Sequence, residues 1–256
     1  MILEKVFRTA HPRLKGIKLK DVRIGLGLMA VELDDGSIGV TYVLRDEIGH
    51  GCTTFSHNSN LIGIPAGEVG RWALKGSNVL AVAMGLAVLN SVAEYEKLEQ
   101  IECAPDADAV FSVEVLPADA VGVVGHIGPV IASLENRVEE LYIFERGENT
   151  PEGVYPESTQ PELLPKCQVV FISGTSLING TLEKLLKYCT GARDVVMVGS
   201  STPLYPEAFS GSGVTVLAGT WWLSEHREEI LAGVSQGKGI KQLIKYGQKM
   251  SVRVRQ

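Results

Sequence analysis

The sequence predicts an α/β protein, with a small α+β domain over residues 1–107 followed by an open parallel-sheet domain over residues 108–256. In the second half, five short runs of Val, Ile, Leu and Phe alternate with helical patterns. Such runs are typical of strands buried on both faces of a parallel sheet. In the first half, an Asp-Gly step separates two apolar runs, which is the pattern of an antiparallel hairpin.

In the first half, the apolar runs at residues 22–33 and 38–45 predict the two strands of that hairpin. Helical patterns follow at residues 65–74 and 78–98, and Ser77 is the expected N-cap of the second helix. Antiparallel strands followed by helices predict an α+β domain.

The predicted strands of the second half are residues 121–124, 141–144, 169–172, 195–198 and 214–217. An apolar stripe over residues 177–189 predicts an amphipathic helix after the third strand. Residues 147–165, rich in Pro, Glu and Thr, predict a long loop, and the basic stretch from residue 237 predicts a solvated face. Right-handed crossovers between parallel strands would place the carboxyl ends of these strands at one edge.

The composition of the chain excludes some classes of binding partner. The chain has 256 residues and a formal net charge of −6, which argues against a general nucleic-acid binder. The longest apolar run, residues 79–89, is too short to cross a bilayer, and the sequence start lacks a targeting pattern. We therefore expect a cytoplasmic protein whose partner is a small anionic or metal-bearing ligand, with no membrane partner. The sequence leaves a homo-oligomer open. The scattered cysteines fit reduced thiols.

Four predicted strands end in polar or glycine-rich loops at the shared edge, where open α/β sheets bind ligands. We expect Gly128-Pro129 and Thr202-Pro203 to open helices there, and Thr175-Ser176 likewise, so that free N–H groups could hold an anion. Alternatively, these hydroxyl groups only cap helices. The predicted ligand-binding residues are Gly125, Glu145, Gly174, Thr175, Ser176, Asn179, Ser200, Ser201, Thr202 and Gly219.

His126 is the candidate catalytic residue, because it follows a buried strand in a glycine-rich loop. Its loop, with Glu145 as ribose acceptor, resembles a dinucleotide fingerprint, but the glycine spacing is wrong. His50 and Cys52 are two residues apart and are candidate metal ligands together with His126. The alternative for His50 and Cys52 is that they are ordinary loop residues. The charged residues 45–47 beside them are a strand end or part of a cleft wall.

Several motifs together resemble one known family. They are residues 24–26 with the hairpin, 42–52, 123–126, 172–182 and 199–204. On these motifs the chain resembles the bacterial and archaeal family described as "putative heavy-metal chelation". The resemblance implies an enolase-N-terminal-like first domain, an atypical Rossmann-like second domain and a ligand site in the cleft between them.

Two functions follow from the residues and the resemblance. The first is a small-molecule-binding protein that holds a heavy-metal ion or a metal-bearing compound in the interdomain cleft, with a heavy-metal ion as its only candidate cofactor. The alternative is a lyase or hydrolase acting on a small anionic metabolite, with His126 as general acid or base. A regulatory module that senses a metabolite is a third interpretation.

Overall fold

The computed structural model describes residues 1–49, 60–102, 109–147 and 152–255, and these residues form two sheets. The smaller sheet has three antiparallel strands in the order β1-β2-β3, which are Leu19–Ile24 (β1), Leu28–Leu33 (β2) and Ile38–Tyr42 (β3). The hairpin predicted at the Asp-Gly step joins β2 to β3 and is confirmed.

The run at residues 22–33 was predicted as one strand, and this prediction is wrong, because a tight turn divides it into β1 and β2. Gly25 N–H donates to Leu28 O at 2.8 Å and closes the turn. A Cβ at Gly25 would lie 2.4 Å from Val234 O, so the turn needs a glycine. Apolar residues continue through the turn, which hides it from a pattern of hydrophobicity.

Four α-helices accompany the small sheet. They are Ile2–Ala10 (α1), Ala66–Lys75 (α2), Val79–Ser91 (α3) and Tyr95–Glu102 (α4), with a 3₁₀ turn at His11–Leu14. The helix predicted at residues 65–74 is confirmed as α2. The long helix predicted at residues 78–98 is instead α3 and α4, because the chain leaves the helix at Val92. The N-cap of α3 is Asn78 rather than Ser77, since Asn78 Oδ1 accepts from Ala81 N–H at 3.0 Å.

The larger sheet has seven strands in the order β10-β9-β8-β7-β4-β5-β6. The strands are Ala120–Val124 (β4), Glu140–Glu145 (β5), Val154–Pro156 (β6), Val169–Ser173 (β7), Asp194–Val198 (β8), Val216–Trp222 (β9) and Gly247–Arg253 (β10). Every pairing is parallel except that of β10 with β9. The predicted α/β class and the five predicted strands are confirmed.

Three local predictions about this sheet are wrong. Residues 147–165 contain the short edge strand β6, and the basic carboxyl-terminal stretch contains β10. β10 fits the sheet because Met250 and Val252 are buried and the charged residues Lys249 and Arg253 lie outside them. Gly219 lies within β9 rather than in a loop after it, since the strand continues to Trp222.

The helices of the second half are Gly128–Leu134 (α5), Gln160–Leu163 (α6), Leu182–Leu186 (α7), Pro206–Phe209 (α8), Arg227–Ser235 (α9) and Ile240–Leu243 (α10). The helix predicted over residues 177–189 is only α7 with a separate 3₁₀ turn at Gly174–Leu177. Gly180, with φ of 71°, takes a left-handed conformation between them and ends the helical path. No helix in the described part of the chain is long and apolar enough to cross a membrane.

The core joins the two sheets. One face of the large sheet packs against α5, and its residues include Val123 and Phe171. The other face shares one apolar cluster with α1 and α3, in which Ile172 and Met197 join Met84. The outer face of β2 and β3 packs against α9 and α10. Helices therefore cover both faces of the parallel sheet, and the small sheet lies beside its carboxyl edge. The domain boundary at residues 107 and 108 stays a prediction.

Candidate functional site at the carboxyl edge of the sheet

The loop after β8 is attached to the amino-terminal part of the chain. Tyr42 N–H, at the end of β3, donates to Ser201 Oγ at 2.9 Å. Asn90 of α3 donates from Nδ2 to Ser200 O at 3.3 Å. These bonds hold the small sheet and α3 against the carboxyl edge of the large sheet. Two of the predicted ligand residues, Ser200 and Ser201, therefore lie at the junction of the two parts.

Glu47 links three segments at this edge. Its Oε1 accepts from Arg146 Nη1 at 2.7 Å and from Asn179 Nδ2 at 3.3 Å. Arg146 follows β5 directly and also donates to Glu157 Oε2 at 3.1 Å. Burial lowers the pKa of Arg146, but the hydrogen bond and charge of Glu47, with those of Glu157, raise it above its ordinary value. The site therefore contains a fixed positive charge between two carboxylates.

His126 lies at the same edge, after β4, and it is exposed. Its backbone N–H donates to Glu145 Oε2 at 2.7 Å, and Glu145 Oε1 accepts from Arg146 N–H at 2.9 Å. Glu145 therefore orders the backbone of two loops. The imidazole of His126 makes no hydrogen bond to any described residue, so it is available to a ligand. We call Glu47, His126, Glu145, Arg146 and Asn179 the sheet-edge site.

The two hydroxyl loops contact each other. A Cβ at Gly174 would lie 2.6 Å from Thr202 N, so nothing fits between the loops at that point. Thr202 N–H donates to Gly199 O at 2.9 Å, and Thr175 N–H donates to Ser173 Oγ at 3.3 Å. The expectation that these loops open helices is met only by a 3₁₀ turn at Gly174–Leu177, because α7 and α8 begin further along the chain, at Leu182 and Pro206. An anion cradle made of two helix starts is thus not formed there.

Gly128-Pro129 does open a helix, as predicted, although Ile127 rather than Gly128 occupies the N-cap position of α5. Pro129 suits the first turn of a helix, because its missing N–H would have no partner there in any case. This helix start follows His126 directly, so that α5 begins beside the sheet-edge site.

A cavity of about 300 Å³ adjoins the sheet-edge site and is lined by Ser176 and Asn179. Apolar residues of α1, α2, α3 and α7 form most of its wall, among them Leu3, Leu74 and Val82. Ser176 is 4% exposed, and its hydroxyl has no hydrogen-bond partner among the residues that the structure describes. Such a cavity can hold a small, largely apolar organic group with a polar atom near Ser176.

Other buried polar atoms cluster where α3 meets the loop after β8. Ser200 and Thr202 are each 3% exposed, and their hydroxyls lack a partner in the described part of the chain, as does Asn90 Oδ1. Buried polar groups normally find a partner, so this junction is a place for ordered water or a ligand atom.

The predicted metal ligands are only partly described. His50 and Cys52 lie outside the described residues, whereas His126 lies in the sheet-edge site. Within residues 1–49, 60–102, 109–147 and 152–255, no three His, Cys, Asp or Glu side chains are placed to hold a metal ion. Burial raises the pKa of the Cys167 thiol, and that of Cys189, to about 12, so these thiols are poor metal donors. The described residues alone do not complete a metal site.

Sequence reasoning did not find Arg146, Tyr42 or Glu157, and it treated Glu47 as a strand end or part of a cleft wall. Their positions in the sequence could have marked Arg146 and Glu47 as site residues. Arg146 directly follows strand β5 at the carboxyl edge, and Glu47 follows β3 closely. Their pairing across the chain has no sequence signal.

These features define a two-part α/β protein in which a small antiparallel sheet with its helices lies on the carboxyl edge of a Rossmann-like sheet. The chain belongs to the DUF364 family, whose model, described as "Putative heavy-metal chelation", matches residues 108–253. A second model with the same description, DUF4213, matches residues 7–93. The family resemblance noted in the sequence motifs is confirmed.

Three relatives are similar to the chain, and two of them have solved structures with the same fold. An uncharacterized protein of Methanocaldococcus jannaschii is 30% identical over 145 residues, which are 56% of this chain and 55% of that protein. The chain thus spans about half the length of that relative. A DUF364 protein of unknown function from Pyrococcus horikoshii has a TM-score of 0.83 at 24% identity, over 99% of this chain and 100% of its own. One from Desulfitobacterium hafniense has a TM-score of 0.72 at 22% identity, over 98% of each chain.

Proposed function

We propose that the protein binds a metal-bearing small organic molecule at the sheet-edge site, with the organic part in the adjoining cavity. The observation that carries this proposal is that Asn179 belongs to both places. The residue lines the cavity of about 300 Å³, and its side chain donates to Glu47. A molecule in the cavity would therefore have its polar end at the sheet-edge site.

A metal-bearing molecule fits the described residues better than a bare ion does. A bare soft ion needs several protein donors, and His126 offers one imidazole nitrogen without a partner among the described residues. A metal that is already held by an organic chelator needs fewer donor atoms from the protein. His50 and Cys52, which follow Glu47 by three and five residues in the sequence, are the further soft donors that this proposal adds to His126.

The polar groups of the site suit a ligand with acceptor atoms. The Arg146 guanidinium is charged and has five N–H donors, and the Asn179 amide can donate as well. A carboxylate or similar group on the ligand would compete with Glu47 for both donors. Binding would thus exchange contacts inside the protein for contacts with the ligand, at little net cost in hydrogen bonds.

The experiment compares the wild type with Val82→Trp, which fills the cavity from a half-buried position, and with Ile62→Trp, an exposed position outside it. Each protein is isolated from its host cells without chelators and examined by native mass spectrometry and elemental analysis. We expect one added mass, containing both a metal and an organic part, in the wild type and Ile62→Trp but not in Val82→Trp. A metal without an organic part, or equal loading of all three, would contradict the proposal.

A further inference from the structure

The cavity of about 300 Å³ beside the sheet-edge site has an open side and a buried side, and we call it the apolar cavity. Its exposed lining residues are Met1, Gly180 and Glu183, which mark the mouth. Its buried lining residues include Ala73 and Leu177, at 3% and 4% exposure, which mark the floor. A molecule that enters at the mouth therefore ends among buried side chains.

The wall of the apolar cavity is aliphatic. Four segments contribute to it, with Leu3 from α1, Leu74 from α2, Val82 from α3 and Leu182 from α7. No aromatic side chain is present in the described lining. A flat ring therefore finds no partner for stacking, whereas an alkyl chain gains from each carbon that leaves water.

The charge at the apolar cavity is confined to its mouth. Glu183 is the only ionisable side chain of the described lining, and it is exposed. Its Oε1 accepts from Ile2 N–H at 2.8 Å, a bond that ties the start of α1 to α7. A charged group at the floor would lose its water without gaining a partner. The buried part of an occupant is therefore uncharged.

The volume of the apolar cavity limits the length of its occupant. A closed apolar cavity of about 150 Å³ holds benzene, which has six carbons. The apolar cavity has about twice that volume, but part of it lies at the open mouth. It therefore has room for about seven or eight carbons. A longer chain would extend back into water and gain nothing more.

We propose that the organic part of the ligand is an uncharged aliphatic chain of about four to eight carbons that fills the apolar cavity. This inference rests on the proposed function, since it takes the metal to lie at the sheet-edge site. Asn179 belongs to both places, so the chain joins the metal-binding group beside this residue. The ligand is then a chelator with an alkyl tail rather than an aromatic chelator.

The test uses cadmium(II) complexes of N-alkyliminodiacetates, which share one metal-binding group and differ in the chain. The chains are methyl, butyl, heptyl and dodecyl, and a benzyl group supplies the same seven carbons as heptyl in aromatic form. Calorimetric titration of the wild type should show an affinity that rises about twofold to fourfold for each carbon from methyl to heptyl. The dodecyl complex should bind no more tightly than the heptyl complex, and the benzyl complex should bind more weakly.

Val82→Trp, and the smaller change Val82→Phe, fill the apolar cavity, and Ile62→Trp is the exposed control. Circular dichroism first shows which variants are folded. The folded Val82 variants should bind the methyl complex as the wild type does, because a methyl group needs little of the cavity. They should lose the gain in affinity from methyl to heptyl, and Ile62→Trp should keep it.

Four outcomes would overturn the alkyl chain and leave the proposed function standing. They are equal affinity for the methyl and heptyl complexes, a gain that continues to dodecyl, tighter binding of benzyl than of heptyl, and a full gain in the folded Val82 variants. A wild type that binds none of these complexes more tightly than cadmium(II) alone would overturn both proposals.

Discussion

Asn179 donates its side-chain amide to Glu47 at 3.3 Å, across 132 positions of the sequence. The same Glu47 oxygen accepts from Arg146 at 2.7 Å, so one carboxylate orients a donor from each of two loops of the large sheet. A ligand that reaches the sheet-edge site meets these two donors together. The position of Glu47 thus sets the orientation of the Arg146 and Asn179 donors.

Glu47→Gln should weaken ligand binding with little effect on stability. Glutamine keeps the shape of the side chain and one acceptor oxygen but loses the negative charge, which weakens the bonds from Arg146 and Asn179. We expect the affinity for a cadmium(II) complex of trans-1,2-diaminocyclohexane-N,N′-diacetate to fall about tenfold or more. Its carboxylate groups supply the acceptor atoms that Arg146 and Asn179 would bind.

The matched control for this variant is Glu157→Gln, which also loses a contact with Arg146 but does not touch Asn179 in the hydrogen bonds of the structure. Both ion pairs are partly exposed, so each variant should lose at most about 1 kcal/mol of stability. Calorimetric titration of the two variants measures the difference. An equal loss of affinity in both variants would contradict the claim that Glu47 acts by orienting Arg146 and Asn179 together.

Gly85→Ala should destabilise the protein through the contact between α2 and α3. A Cβ at Gly85 would lie 2.2 Å from Ala73 N, and backbone atoms cannot yield as the end of a side chain can. The two helices would have to separate, at a cost of about 1–3 kcal/mol or more. Urea unfolding followed by circular dichroism measures this cost.

The control for Gly85 is Gly128→Ala, since a Cβ at Gly128 meets no atom of the described chain within 4 Å. Gly128 is also in a helix, where alanine has the better intrinsic propensity. We therefore expect Gly128→Ala to be neutral or slightly stabilising. A Gly85→Ala protein as stable as this control would show that the helices can adjust without cost.

The sheet was predictable because its strands leave a strong local signal. β4, β7 and β8 are buried on both faces, so their sequences are continuous apolar runs with glycine or serine just beyond. The helices were less predictable, because periodicity does not register a single left-handed residue such as Gly180. β10 was missed because the carboxyl-terminal stretch around it is rich in Lys and Arg, although Met250 and Val252 within it are buried.

The candidate site was predictable in position but not in its pairings. His126 was found because residues after buried strands lie at one edge of a parallel sheet, and Glu145 was named for its spacing from the same loop. The bonds that Glu47 forms with Arg146 and Asn179 depend on how the small sheet sits on the large one. Tertiary packing sets that arrangement, and no local pattern encodes it. The proposed roles of these residues remain predictions.

Cys167 and Cys189 should resist alkylation in the folded protein. Burial raises the pKa of each thiol to about 12, so at pH 8 only about one molecule in ten thousand carries the reactive thiolate. We expect iodoacetamide at pH 8 to leave both unmodified and to label both after unfolding in urea. Peptide mass spectrometry reports each position separately. Rapid labelling of either thiol in the folded protein would show that it is not protected.

Asp119 should contribute to stability near neutral pH and lose this contribution in acid. The hydrogen bond from Arg193 at 2.9 Å is the main cause that holds the pKa of Asp119 below its usual value; the N–H of Leu116 adds to it, and burial opposes it. A carboxyl group whose pKa is lower in the folded state than in the unfolded state stabilises the folded protein at pH values above its unfolded pKa, which is about 4. This stabilisation disappears as the pH falls through the pKa of the folded state.

Asp119→Asn should therefore melt at a lower temperature than the wild type at pH 7, and the difference should shrink as the pH falls from about 5 to about 2. Asp21→Asn is the control, because its partner Arg23 lies on the same exposed strand. We expect little change in this control at any pH. A difference between wild type and Asp119→Asn that stays constant with pH would assign the loss to something other than the charge.

The measurement that tests the central claim most directly is calorimetric titration with cadmium(II) alone and with its trans-1,2-diaminocyclohexane-N,N′-diacetate complex. His126→Ala is compared with His226→Ala, which removes a partly exposed histidine beside α9. We predict that the wild type and His226→Ala bind the complex at least about tenfold more tightly than the bare ion, and that His126→Ala loses this preference. Equal affinity for the ion and the complex in the wild type, or an undiminished preference in His126→Ala, would contradict the account.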